Sequence, residues 1–268
     1  MNNSDSSQAG AQSVARALKL LKLVAARSSD GVRLIEMVEL SGLHKPTIHR
    51  LLKQLVASGM LMQSADKRYH LGQFSYELGL AAALHFRIRE TCEPYLQRIA
   101  DLTGDTAFLV VKSGADSFCV DRKMGSYPIK VFSVEVGHRQ PLGVGGGGLA
   151  LLSALPDIDV DEVLVANDAL LKPFREMTGS KLRKLIDATR SRGYSVISDF
   201  AVAGVTGIGR AILDRAGYPL AAISVSTVSQ RMNASHQDMV SQVLKQEITA
   251  LAATLGYSRT TKIGRRDM

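Results

Sequence analysis

The chain has no tryptophan, only two cysteines, and aromatic residues at 5% of its 268 positions. Cys92 and Cys119 form no CxxC pair, which argues against both a disulfide framework and a cysteine zinc site. No apolar run is long enough to span a bilayer, and the polar start MNNSDSSQAGAQ is not a signal peptide, so a cytoplasmic chain without membrane contact is expected. The histidines are His44, His49, His70, His85, His138 and His236, with no HxxxH or HExxH spacing and no nucleophile elbow nearby. No metal and no cofactor are therefore expected. His138 beside Arg139 reads as a surface pair, or as an electrostatic partner for an anion, rather than as an acid–base catalyst.

Against these absences stands a hydrophobic content of 46% without low-complexity tracts, enough for two cores in a chain of this length. The net charge of +8 is unevenly placed. Residues 1–75 hold ten Lys/Arg against five Asp/Glu, and residues 257–268 hold four against one, whereas the interval 76–256 is neutral. A charge kept for solubility would spread out; one concentrated at a small region suits a polyanionic partner.

The stretch LIEMVELSGLHKPTIHRLLKQLVASG, residues 34–59, organises the chain. Leu34, Met37 and Val38 recur at helical spacing, Gly42 supplies a turn, and Ile48, Leu51, Leu52, Leu55 and Val56 form a second apolar stripe. Pro46 suits a first helical turn and Gly59 a helix stop. This is a helix-turn-helix pattern. Off the stripe lie His44, Lys45, Pro46, Thr47, His49, Arg50 and Lys53, a set suited to phosphates and base edges in a major groove. A solvated helix face is the duller reading. The next segment, MLMQSADKRYHL, predicts two short strands around Ser64–Lys67, with Lys67 and Arg68 at the tip of a basic hairpin, as in the wing of a winged helix.

Before this motif, residues 1–12 are expected to be disordered and Ser13 to cap a helix whose buried stripe is Val14, Ala17, Leu18, Leu21, Val24 and Ala25. After it, Gln73 to about Cys92 predicts a linker helix, and Pro94 permits a new one over Tyr95–Thr103. Strands are expected at Thr106–Val111, Ser117–Arg122, Ile129–Val134 and Tyr194–Ser198, and a hairpin from Gly207–Asp214 and Tyr218–Thr227. Helices are expected over Ile158–Asn167, Ser180–Arg192 and Ser235–Leu255. The order implies an α+β fold: an N-terminal winged helix (13–72), a linker helix (73–92), and a C-terminal domain (93–258) with a mostly antiparallel sheet flanked by helices.

In the C-terminal domain Gly143–Gly148 runs straight into the apolar stretch LALLSAL. Free N–H groups at a helix start attract anions, and glycine lets a ligand approach the backbone. No phosphate-loop lysine follows, so a carboxylate suits the site better than a nucleotide. The alternative is a flexible loop making a sharp turn. Ser224 and Ser226, two apart on a strand, share a face and could join the glycines on one carboxylate, or simply be small strand residues.

The blocks SVARALKLLKLVAA, IEMVELSGLHKPTIHRLLKQL and YHLG resemble IclR-type transcriptional regulators. Further on, GHRQPLGVGGGGLALLSALP resembles their effector-domain loop and helix, and GYSVISDFAVAGVTGIGRAILDRAGYPLAAISVS the second half of that domain. The resemblance spans residues 13–256 and implies a homodimer or dimer of dimers that binds operator DNA and a small organic acid or aromatic metabolite. It also implies that Leu142, Gly145, Gly146, Gly147, Asp199, Val205, Gly207, Ser224 and Ser226 surround the effector, with Ile129 and Phe132 as floor or core. Two departures stand out. His44 replaces a serine common in the family, and the glycine loop lacks the usual Ser/Thr. The second reading is a small-carboxylate-binding enzyme with an accessory nucleic-acid domain. The neutral, strand-rich C-terminal part argues against a purely architectural DNA protein.

Overall fold

The computed structural model describes residues 3–27, 30–83, 87–175 and 177–256. They fall into two compact units, residues 1–87 and 88–268. The first opens with α1 (Asn3–Ala25), followed by β1 (Val32–Arg33), α2 (Leu34–Ser41) and α3 (Lys45–Ala57). Next come β2 (Leu61–Gln63), β3 (Arg68–Leu71) and α4 (Gln73–Ala83). The strands pair antiparallel in the order β1-β3-β2.

Leu20, Val24, Val32, Met37, Ile48, Leu52 and Leu61 are fully buried in one cluster. Gly42 turns α2 into α3 with φ 66°, a left-handed conformation that glycine adopts without steric cost. Lys19 Nζ donates to Ser41 O at 2.9 Å, so α1 caps the C-terminal end of α2. Three expectations change here. α1 begins at Asn3, not Ser13, so the polar start is helical as well. Its buried stripe is rotated: Leu20 is fully covered while Val14 and Leu18 are 60% and 51% exposed. Val56 is also exposed.

The second unit is a three-layer α+β domain. It begins with α5 (Ile88–Thr103), β4 (Thr106–Ser113) and β5 (Asp116–Met124). After β6 (Arg139–Pro141) come three helices: α6 (Gly145–Ser153), α7 (Asp157–Leu171) and α8 (Gly179–Arg192). The chain then forms β7 (Ser195–Ser198), β8 (Val205–Leu213), β9 (Pro219–Val228) and α9 (Ala234–Thr254). The six strands form one antiparallel sheet in the order β6-β5-β4-β9-β8-β7.

Strand alternation sends successive residues to opposite cores. Ala107 and Leu109 of β4 join the cluster beneath α5 and α9, with Ile208, Ile223, Val240 and Leu244. Phe108 and Val110 join the cluster beneath α6, α7 and α8, with Leu149, Leu152, Val160 and Leu182. The α5–β4 turn is tied to α9 by buried Asp105, whose carboxylate meets Arg231 Nε at 2.8 Å and His236 Nε2 at 2.6 Å.

Ile129–Val134 is not a strand. Lys130 donates to the carbonyls of Gly125 and Tyr127, folding that segment on itself, and the edge position goes to β6 instead. The interval 73–92 is not one continuous described helix: α4 ends at Ala83, residues 84–86 lie outside the described residues, and α5 starts at Ile88. Pro94 lies inside α5 instead of preceding a new helix.

Candidate nucleic-acid interface and ligand cavity

α3 is amphipathic. Ile48, Leu51 and Leu52 are buried, so the intervening residues face outward. His44, Lys45, Pro46, His49, Arg50 and Lys53 are exposed and Thr47 is half-buried. His44 occupies the N-cap position with φ −66° and ψ 139°, but its side chain caps nothing. The imidazole is thus free for another partner, where a serine would have closed on the helix. No acidic residue occupies the first turn of α3.

The wing has a left-handed residue, Lys67 (φ 66°), at its tip, held by Ser64 N donating to Arg68 O and Lys67 N to Ser64 O. Ser64 Oγ donates to Asp66, which holds the Asp66 carboxyl below its ordinary range. Arg68 does not stand free at this tip. Its guanidinium donates to the carbonyls of Asp30 and Gly31 at 3.3 and 3.2 Å and pairs with Asp66 at 3.3 Å. Lys67 is therefore the wing cation directed to solvent.

A groove of about 420 Å³ lies between α3 and the wing, with Arg33, Lys45, His49, Gln63 and Lys67 along it. Arg33 was not foreseen as part of this face. It precedes α2, and only the pairing of β1 with β3, which sets Arg33 opposite Arg68, brings it here. The groove therefore presents three cations and an imidazole and contains no carboxylate.

In the second unit, α6 starts at Gly145 behind Val144, whose side chain cannot cap it. The first N–H groups of the helix accordingly have no cap acceptor. A small cavity of about 20 Å³ opens beside them, walled by Gly145–Gly148, Ser117, Cys119, Ser133, Gln140, Ser224 and Ser226, with Phe108 and Val110 behind. Ser224 and Ser226 are 4% and 5% exposed. No protein group among the described residues engages either hydroxyl. No charged residue lines this cavity, and burial pushes the Cys119 thiol up to about 12, so it is neutral too. Gln140 Nε2 donates to Ser133 O at 2.9 Å and Ser117 Oγ to Gln140 O at 3.3 Å.

The glycines also let α6 lie flush on the sheet. A Cβ at Gly209 would sit 2.4 Å from Gly146 O, and one at Gly147 would sit 2.5 Å from a Val110 methyl and 3.2 Å from Ser224 Oγ. Gly207 belongs to the same contact, since its Cβ would fall 3.1 Å from Ser226 Oγ.

The other expected residues lie apart from this cavity. Leu142 is fully buried in the apolar core. Asp199 (φ 67°) accepts from Gly204 N at 2.7 Å and shapes the loop before β8, and Val205 starts that strand. Ile129 and Phe132 are each 54% exposed, neither floor nor core, and the Phe132 ring lies under the Arg122 guanidinium at 4.4 Å. His138 faces Glu135 at 3.8 Å, Arg139 donates to Ser113 Oγ at 2.6 Å, and both are half-buried.

Two family models match this chain. Residues 13–65 match the IclR helix-turn-helix domain, and residues 80–253 match the bacterial transcriptional regulator IclR C-terminal domain. The chain belongs to the IclR family of transcriptional regulators. Among its IclR relatives, KipR of Bacillus subtilis, an HTH-type transcriptional regulator, is 23% identical over 248 residues, covering 92% of this chain and 98% of its own. The crystal structure of a putative IclR regulator from Silicibacter aligns with TM-score 0.80 at 22% identity, over 92% of this chain and 97% of that one. An IclR homologue from Microbacterium hydrocarbonoxydans, crystallised with 4-hydroxybenzoate, aligns with TM-score 0.69 at 23% identity, over 92% of this chain and all of that one. Curated relatives carry regulator and repressor names, not enzyme names. No helix among the described residues is long and apolar enough to cross a membrane.

Proposed function

We propose that this chain is a cytoplasmic, ligand-responsive transcription factor that controls a catabolic operon and responds to a small organic acid or aromatic metabolite. In this reading residues 13–72 bind the operator, 73–92 connect, and 93–258 sense the effector. One observation carries the sensing half: the unengaged hydroxyls of Ser224 and Ser226 line a cavity beside the uncapped N-terminus of a glycine-rich helix. Hydroxyls and backbone N–H groups without any lysine or arginine suit a carboxylate that must be both held and released.

The operator half rests on the exposed cationic face of α3 and on the groove between α3 and the wing. Contacts from His44, Lys45, Thr47, His49, Arg50 and Lys53 would lie in the major groove, with Pro46 setting the helix start and Lys67 on the flanking backbone. Arg68 then holds the wing in shape. As a homodimer or dimer of dimers, the protein would read two half-sites about 34–36 Å apart. Exposed Val14 and Leu18 on α1, and Phe74, Leu78 and Leu80 on α4, supply apolar surface for such pairing. Effector binding shifts the population between a DNA-competent and a DNA-released state.

The experiment is fluorescence anisotropy of labelled promoter duplex with the purified protein at low salt, repeated with a panel of organic acids that includes 4-hydroxybenzoate. Tight binding that one acid weakens or strengthens is the expected result. Indifference to the duplex under every condition overturns the reading.

A further inference from the structure

A larger cavity, about 190 Å³, lies at the opposite end of α6 from the glycine run. Ala150 of α6 and Ala154 just past its end, Thr189 near the end of α8, and Arg210, Ala211 and Leu213 of β8 line it. Two side chains of this lining carry a polar atom without a partner. Thr189 is 5% exposed and its Oγ1 makes no hydrogen bond, although a helical threonine ordinarily bonds a carbonyl one turn back. Arg210 Nε is buried and makes none either.

No Asp or Glu among the described residues pairs with Arg210. Its neighbours are Tyr194 and Gly193, where a Cβ would come within 3.7 Å of Arg210 Nη2. The contrast with Arg190 in the same lining is informative. That guanidinium is engaged at all three nitrogens: it donates to Ser153 O and Leu155 O at 2.9 Å each and to Asp157 at 2.7 Å.

A guanidinium beside an apolar-walled cavity with no acidic partner suits a carboxylate, which it holds through charge-assisted bonds. We infer that this cavity is a second ligand site, distinct from the glycine-run cavity, that binds a small organic carboxylate through Arg210. The carboxylate accepts from the Nη groups of Arg210, since Nε and Thr189 Oγ1 are closed off from the cavity, and the alanines and Leu213 take the apolar body. Burial also lowers the Arg210 pKa below its ordinary value, with no carboxylate to hold it up. An occupant touches α6 and α8 together. The site can therefore bias the same helix whose N-terminus faces the first cavity.

The test soaks crystals of the full chain with 4-bromobenzoate and collects anomalous data at the bromine edge. A bromine peak in this cavity, with the carboxylate on Arg210, is expected. Soaked crystals of Arg210→Gln should lose that peak while any peak beside Gly145–Gly147 persists. Should Arg210→Gln fail to fold, Arg210→Lys replaces it, with benzoate affinity at this site down about fivefold by calorimetry. Bromine only beside the glycines, bromine nowhere, or a peak here that survives the loss of Arg210 would each overturn the inference. An empty glycine cavity with a filled Arg210 cavity would count against the proposed effector site alone.

Discussion

The groove between α3 and the wing and the cavity beside α6 are both read as meeting anions, and they are built in opposite ways. The first is open and carries Arg33, Lys45 and Lys67 with no carboxylate. The second is smaller and more enclosed, holds no charged side chain, and offers hydroxyls, an amide, a neutral thiol and backbone N–H groups. Mobile cations on an exposed face attract a polyanion over a distance and tolerate many backbone positions. Fixed dipoles in a small space act only at contact, and select by shape. One chain thus keeps long-range attraction and short-range selection in separate units.

Salt gives the sharpest separation of the two. Between 50 and 200 mM salt, operator affinity should fall about a thousandfold, whereas effector affinity should change by about twofold or less. Equal salt dependence, seen by anisotropy and calorimetry, would erase the distinction. Next in size is Gly209→Val, which drives a side chain into the Gly146 carbonyl. It should cost about 3 kcal/mol in urea unfolding of the C-terminal unit and leave the winged helix intact.

Arg50→Ala should weaken operator binding by about 1–3 kcal/mol in gel-shift titration without altering effector binding. On the other side, Ser224→Ala or Ser226→Ala should weaken the effector by about 1 kcal/mol each and leave DNA affinity without effector unchanged. The smallest effect is in pH. Burial pushes the thiols of Cys92 and Cys119 up to about 12, so both are protonated in the folded protein where the unfolded chain would begin to ionise near 9. The folded pKa is the higher one, so stability from this source is complete below pH 9 and is lost as pH rises toward 12. Thermal melts should fall over that window, and Cys92→Ala should fall less.

The helix pair and the wing were legible because their apolar spacing and their turn residues agree with each other. α1 was readable as a helix but not in its orientation. The stripes through Val14 and Leu18 and through Leu20 and Val24 both have helical period, and only packing against Met37 and Ile48 decides between them. The ligand cavity was legible in half. The glycine run and the two serines announce themselves, but Ser117 and Gln140 reach it because β5 pairs with β6 and sets them opposite each other, a register no local pattern encodes. Ile129 and Phe132 misled for the converse reason: alternating apolar residues read as a strand when the backbone beside them is committed to Lys130.

The flush seat of α6 on β8 has a mechanical meaning. Side chains normally interlock a helix with its sheet like gear teeth, so that sliding means climbing over them. Here Gly146, Gly147, Gly207 and Gly209 leave the near end of the track smooth, while Arg190 bolts the far end of the helix to α8. The two ends of α6 are thus held differently, by bare backbone contact at one and by a guanidinium at the other.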